Sequence, residues 1–385
     1  MPLTLMRARF CTCILAGLAG ACAADSAVPT PDVLPAAAWS LSAEPVMEIG
    51  VADGPPELMF TTIANAFALA DGRIVVANRA TPAEVRVFSA EGEHLRTFGR
   101  HGEGPGEYRA IAWARAAHYD SVVVYDPWLE RVTWLSATDG FARAASTVLP
   151  GRDARSGTLA LLAPVRESMF LARPNRILGD DATGAGRSHR PLLLVGFDPP
   201  VIDTLLVLQG AQFVTDDGEQ RLPLFGVRSA VAYRAGRVFV GHGDEFRVDE
   251  YTLDGEHVRT FHRSIERRPV TEDVVQVEAR AAILAASEEE RPQVEARYRD
   301  MPRAEHLPAH TTSMLVDDSG HLWVEEYALP GEPRAWSVFD PVGAWLCSVQ
   351  VPSSLRVTHV GRDAVYGIHR DDLGVESVRV YALRR

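Results

Sequence analysis

Two ten-residue stretches, EGEHLRTFGR at 91–100 and DGEHVRTFHR at 254–263, share the pattern GEH-x-RTF-x-R although 163 residues separate them. A chain that repeats itself at such a distance is built from like units stacked on one another, so the period of the repeat decides the architecture. Around the first copy the order is AFALA, the turn Asp71–Gly72, RIVVAN, a polar loop, EVRVFS, the turn Glu91–Gly92 and HLRTF. Short β-branched runs joined by two-residue turns are the signature of antiparallel hairpins.

The turn before the second strand recurs as Asp120–Ser121 before VVVYD, Glu167–Ser168 before MFLA and Ala235–Gly236 before RVFVG. It recurs again as Ser319–Gly320 before HLWVEE and Arg362–Asp363 before AVYGI, which makes six units. Where loops are short the period is about 48 residues, the length of a four-stranded propeller blade and too long for most helical solenoids. The sixth unit ends at VRVYALRR with only three strands, while PVMEIGV at 45–51 stands alone ahead of the first unit. Pairing the two supplies the missing strand and removes the open edges of a linear array. The sequence therefore predicts an all-β, six-bladed β-propeller over 45–385, closed by its N-terminal strand.

One segment breaks the rhythm, TEDVVQVEARAAILAASEEERPQVEARYRD at 271–300. Thr271 is placed to cap a helix with Val274, Val277, Ala281 and Leu284 on one face. Ser287 and Glu290 have capping-box spacing for a second helix, and Pro292 is tolerated in its first turn. The reading is a helical hairpin laid on the propeller.

Residues 65–140 resemble propellers of the NHL-repeat type, found in many exported bacterial proteins. The likeness rests on Gly102, Gly104, Pro105, Gly106, Glu107 and Tyr108 in the loop between blades, and on Asp71–Gly72, Ile74, Val76, Ala77, Asn78, Val85, Val87 and Phe88 in the strands. Blade two adds Asp126 and Arg131–Val132, whereas Asn78 stands where the family usually has Asp. The resemblance implies architecture and leaves activity open, because such propellers include lyases, lactonases and pure binding modules.

The glycine-rich loop GRHGEGPGEY at 99–108 invites a phosphate-binding reading. A phosphate loop must lead into a helix N-terminus and, in its nucleotide form, carries a lysine. Here the glycines lead into the strand-like alternation Tyr108, Ile111, Trp113, and none of the 39 basic residues is lysine. The loop reads as the crossing from one blade to the next, where glycine admits positive φ.

The first 23 residues carry Arg7 and Arg9 and then an apolar run, Phe10–Ala21, as a secretory signal does. Cleavage before Ala24 and lipid attachment to Cys22 both fit the residues that follow. Residues 24–44, rich in Ala, Pro and Ser, read as a flexible linker. The expected destination is secreted, periplasmic or surface-tethered, with no transmembrane helix after the signal. Cysteines at 11, 13, 22 and 347 leave the cleaved chain without an internal disulfide or a cysteine zinc site. Losing Arg7 and Arg9 takes the formal charge from −12 to −14. So acidic a chain repels nucleic acid, and the adjacent arginines of IERRP at 265–269 do not reverse that.

In a propeller the loops between second and third strands share a face with the connections between blades. That face collects the glycine-rich loop, the stretch 209–226 and the helical hairpin, and long loops on a rigid scaffold are where binding concentrates. The strand-end residues expected to border it are Asn78, Arg79, Asp126, Trp128, Arg173, His242, Asp244, Glu325, Glu326, His369 and Asp371. If they converged, His242, Glu325 or Glu326, and His369 could hold zinc or a similar divalent ion, and the resemblance to calcium-dependent propellers makes Asn78, Asp126 and Glu325 the candidates for calcium. No cofactor is otherwise implied. Tyr108, Trp113, Trp128 and Trp134 read as packing between blades, and no G-x-S-x-G elbow occurs. Two functions remain in view: a monomeric, non-catalytic binder of a protein, peptide or glycan of the cell envelope, and a metal-dependent hydrolase or lyase, lactonase-like or amidating-lyase-like, with its ion at the channel mouth.

Overall fold

The computed structural model describes residues 39–79, 81–117, 121–136, 144–148, 159–166, 168–174, 185–197, 200–216 and 219–385; the expected leader and most of the expected linker lie outside them. These residues form six antiparallel sheets, one per repeat. Blade 1 is Ile63–Ala68, Ile74–Asn78, Glu84–Phe88 and His94–Phe98, and blade 4 repeats the plan with Ala230–Arg234, Arg237–Gly241, Arg247–Thr252 and His257–His262. The hairpin turns take the expected form, with Gly72, Gly92, Gly236, Gly255 and Gly320 at positive φ. The six-bladed propeller is thus observed.

Burial follows from how blades meet. Every residue of Ile74–Asn78 and Glu84–Phe88 is buried, because a middle strand is covered on both faces by neighbouring blades. The outer strand His94–Phe98 is half-buried or exposed throughout. Each seam between blades is one apolar cluster. Val75, Val85, Tyr108 and Val122 join blades 1 and 2; Trp113, Tyr125, Leu161 and Phe170 join 2 and 3; and Leu171, Leu192, Val238 and Val240 join 3 and 4. Phe239, Phe261, Leu322 and Phe339 join 4 and 5, Trp336, Val338, Leu355 and Val357 join 5 and 6, and Ile63, Val76, Ile368 and Val378 join 6 and 1.

The ring closes as the strand count requires. Met47, Glu48 and Ile49 pair with Val380, Arg379 and Val378 of the last strand, and Ile49 is buried in the seam to blade 1. Within the segment 24–44 expected to be a linker, Ser40 and Leu41 form strand, opposite Arg384 and Leu383. Trp39 lies beside His321 and Trp323, with ring centroids at 4.9 and 6.0 Å, and the Arg385 guanidinium sits 4.5 Å from its ring. Arg385 also reaches the fully buried carboxylate of Asp317 at 2.7 Å.

Two other expectations need correction. Helices α1 (Glu272–Ala285) and α2 (Arg291–Asp300) do form a hairpin between blades 4 and 5, with Thr271 capping α1. But the one buried residue of α1 is Val275, off the predicted face; Val274 and Ala281 of that face are half-buried, and Val277 and Leu284 are exposed. The stretch 209–226 is not one loop. Blade 3 has strands of 13 and 17 residues, Ala185–Phe197 and Pro200–Asp216, and Gln209–Asp216 belongs to the second, with Glu219–Arg221 folding back beside it.

Replacing Arg385 with Ala leaves Asp317 buried without its cation, which costs about 2 kcal/mol after allowing for the partial exposure of the pair. Calorimetry should find the melting temperature lowered by a few degrees; an unchanged value would show that the C-terminal latch carries no stability.

Candidate functional site

Among the described residues the loop-rich face is bordered by 79, 81–83, 127–130, 242–246, 327–333 and 371–375 after the second strands, and by 99–112, 222–229 and 263–309 between blades. The glycine-rich loop turns its polar groups inward. The N–H of Gly102 donates to Tyr108 O at 3.1 Å, that of Tyr108 to Arg100 O at 2.9 Å, and that of Glu107 to Gly104 O at 3.1 Å. The Glu107 carboxylate takes the Gly104 N–H at 2.8 Å and Arg100 Nε at 2.7 Å, which holds its pKa below the usual carboxylate range. Arg131 spans the loop by donating to Glu103 O at 2.6 Å and Gly104 O at 2.8 Å. Gly99 has φ +89°, and a Cβ there would meet the Tyr108 ring at 2.6 Å. Tyr108 itself is buried, which pushes its pKa up to about 12. With the N–H groups of Gly102, Gly104, Glu107 and Tyr108 bonded within the loop, it is built as a crossing between blades.

Asp126 anchors the same loop. Its Oδ2 accepts the N–H groups of Arg109 at 2.7 Å and Ala110 at 3.2 Å, and Oδ1 accepts those of Trp128 at 2.9 Å and Leu129 at 3.0 Å. Asn78 plays the corresponding part in blade 1, donating to Pro82 O at 2.7 Å and accepting the Thr62 N–H at 3.4 Å. Glu325, also buried, is pinned by Arg334 and by the Thr311 hydroxyl at 2.8 Å. Glu326 Oε1 accepts from Arg263 at 2.6 Å, Ser337 at 2.8 Å and Ser348. His369 Nδ1 lies 2.9 Å from Ser354 Oγ; desolvation, aided by Arg379, draws its pKa below the ordinary value.

The metal candidates therefore stay apart, each within its own blade: Asn78, Asp126, His242, Glu325 and His369 belong to blades 1, 2, 4, 5 and 6. Among the described residues no group of three or more His, Cys, Asp or Glu is arranged to hold a metal ion. The carboxylates are engaged locally, Asp126 by four backbone N–H groups and Glu325 by Arg334 and Thr311.

The remaining candidates divide by exposure. Arg79 and Arg173 are exposed, and Asp244 lies 3.6 Å from Arg187. Trp128, expected to pack between blades, is instead 74% exposed, whereas Trp113 donates from Nε1 to Leu161 O at 2.8 Å and Trp134 meets Phe170 edge-on with ring centroids 6.0 Å apart. The face also exposes Leu373, Leu284, Val277, Met59 and Ile265.

Sequence reading missed one polar cluster. His242 Nε2 lies 3.0 Å from Asp249 Oδ2, and Asp249 is buried and also takes Thr260 at 2.6 Å and Arg247 at 3.0 Å. Burial alone would raise the Asp249 pKa; the hydrogen bonds from Thr260, His242 and Arg247 outweigh it and lower it. His310, buried behind this pair, accepts the Gly243 N–H on Nε2 at 3.1 Å, and its Nδ1 lies 2.6 Å from Thr311 O. Beside the cluster lies a cavity of about 180 Å³ lined by Asp244, Phe246, Ile265, Arg268, Leu307 and Tyr327. It is smaller than the sites that bury drug-sized ligands. The alternation of His242, Arg247 and Asp249 was visible; His310, 61 residues after Asp249, was not.

Comparison with known proteins agrees on architecture. A family model, DUF5128, described as a six-bladed β-propeller, matches residues 59–126. A protein described as exported from Bacteroides fragilis superposes with a TM-score of 0.50 at 12% identity, covering 92% of this chain and 97% of that one. A DUF4221 family member from Bacteroides vulgatus gives 0.53 at 11% identity, covering 90% and 99%. A calcium-binding regucalcin from Agrobacterium tumefaciens reaches only 0.37 at 11% identity, with 85% and 92% covered, and a likeness of that size says nothing about calcium here. A search of curated protein sequences finds no match. The likenesses above 0.5 or at it establish the fold alone.

Two outcomes follow. Asp126→Ala strands buried N–H donors and should cost about 3 kcal/mol, with equal loss of melting temperature with and without chelator; an effect confined to metal-loaded protein would restore a ligand role. Burial draws the His310 pKa below the 6.5 of an exposed histidine. Below that value the unfolded chain takes up the proton first, so stability falls as pH drops from about 6.5 towards the folded pKa. His310→Gln should flatten this slope in denaturant titrations between about pH 7 and 5; an unaltered slope would contradict the neutral, buried assignment.

Proposed function

We propose that this chain is an exported, non-catalytic binding module that holds a protein, peptide or glycan of the cell envelope on its loop-rich face. The observation that carries the reading is the contrast on that face between tethered polar groups and free apolar ones. Asp126, Glu325 and Glu326 are consumed by backbone and arginine partners, whereas Trp128 and Leu373 stand 74% and 87% exposed. Tryptophan and arginine dominate the energetics of interfaces, and isolated exposed apolar side chains gathered on one face supply anchors for a partner. The leader at 1–23 supports export, with Cys22 as the point of tethering if lipid is attached. Kinship with NHL-type propellers belongs to the same reading, since their scaffold serves many ligands.

A metal-dependent hydrolase or lyase would need the candidate ligands to release their present partners, and nothing in their geometry favours that. Peptide and glycan arrays probed with the labelled protein test the proposal. Binding should be lost by about tenfold or more in Trp128→Ser/Leu373→Ser with the melting temperature unchanged. Turnover of lactone, phosphotriester or amidated-peptide substrates, or binding indifferent to the double substitution, would overturn it.

A further inference from the structure

The long strands of blade 3 do not end at the propeller. Met169–Ala172 pairs with Gly196, Val195, Leu194 and Leu193, and above that point Ala185–Leu192 continues beside Leu206–Val214 as a ribbon rising from the loop-rich face. Three arginines stand at the foot of the ribbon. Arg173 closes the second strand of blade 3, and Arg190 lies on the third strand two residues from buried Leu192. Arg228 precedes Ala230, where the inner strand of blade 4 begins. Strand alternation turns Arg173 and Arg190 the same way as Leu171 and Leu192, towards the seam with blade 4.

The surroundings offer these cations little. Among the described residues, none of the three makes an ion pair or a side-chain hydrogen bond, and Arg190 Nε is buried without an acceptor. Burial, and then the charges of Arg173 and Arg228, depress the Arg190 pKa, so Arg190 feels both neighbours. The neighbouring arginine is treated differently. Arg187 donates to Gln209 O at 2.8 Å, Gly210 O at 2.9 Å and His242 O at 2.9 Å, and faces Asp244 at 3.6 Å. A chain with 51 acidic and 39 basic residues has carboxylates to spare, yet it leaves three guanidinium groups converging on one seam.

We propose that the seam between blades 3 and 4 binds an oxyanion through Arg173, Arg190 and Arg228, so that the ligand of the loop-rich face carries a carboxylate or phosphate group. Guanidinium forks match the two oxygens of either group, and an anion there supplies the missing acceptor for Arg190 Nε while offsetting the mutual repulsion. The inference rests on the reading of this face as a binding surface and adds the chemical class of what it takes.

Calorimetric titration of the full chain with inorganic phosphate and, separately, with glucuronate tests it at about 0.01 M ionic strength, where the Debye length is about 30 Å. At least one probe should bind saturably, and the preferred probe separates a phosphate from a carboxylate ligand. Arg173→Gln/Arg190→Gln/Arg228→Gln should weaken that binding by about tenfold or more. The unliganded triple variant should melt no lower than the parent, because its loss relieves repulsion. Arg237→Gln, outside the cluster, should bind as the parent does. Absence of saturable binding by either probe up to tens of millimolar, or binding indifferent to the triple substitution, would overturn the site. If array binding persists without anion binding, only this inference falls; if the anion binds but a phosphate ester is turned over, the site stands and the non-catalytic reading falls.

Discussion

Everything in this molecule depends on one strand arriving from the other end of the chain. Five of the six seams are made by blades that follow one another in sequence. The sixth needs Ile49 between blades 6 and 1, held by the ladder that pairs Met47–Ile49 with Val380–Val378. Without that strand the last sheet would present an open edge, and the apolar side of Ile63 and Val76 would lose part of its cover. Propeller closure is therefore a long-range contact on which six otherwise local units rely.

The closed ring explains why so many polar groups at strand ends are unavailable for chemistry. At the rims of the seams the chain must turn, and the turns leave backbone carbonyls and N–H groups that need partners. The absence of lysine becomes structurally meaningful there. Arg131, Arg187, Arg334 and Arg356 each donate to two or more carbonyls on neighbouring segments, as with Arg334 to Ser353 O and Leu355 O and Arg356 to Ile63 O and Ala64 O. A planar fork with five donors can bridge two loops in this way, and a single ammonium is poorly suited to it. Where the same residue type has no carbonyl or carboxylate partner among the described residues, at Arg173, Arg190 and Arg228, the contrast itself marks the spot.

The propeller was legible in the chain because its grammar is short-range. A strand, a glycine turn and a second strand are written within a dozen residues, and six such records with an orphan strand at the start leave few alternatives. The roles of site residues were not legible, because a carboxylate after a strand reads the same whether it binds a metal or caps a turn. Asp126 is decided by the backbone of Arg109 and Ala110, and Glu325 by Arg334, both a loop away. The buried side of α1 is not legible because Val274, Val277 and Leu284 share a face by spacing, whereas the residue that is buried is Val275, and Val277 and Leu284 stay exposed. The ribbon of blade 3 was hidden because VIDTLLVLQGAQFVTD runs without a proline to mark where the blade ends and the extension begins.

The most direct measurement is calorimetric unfolding of the full chain beside a version lacking residues 39–50. If closure by the N-terminal strand holds the ring together, the shortened chain should lose the single cooperative transition or melt far below the parent, and its loop-rich face should become protease-sensitive. A shortened chain that melts in one transition at the parental temperature would contradict the account, and would mean that the six seams do not act as one structure.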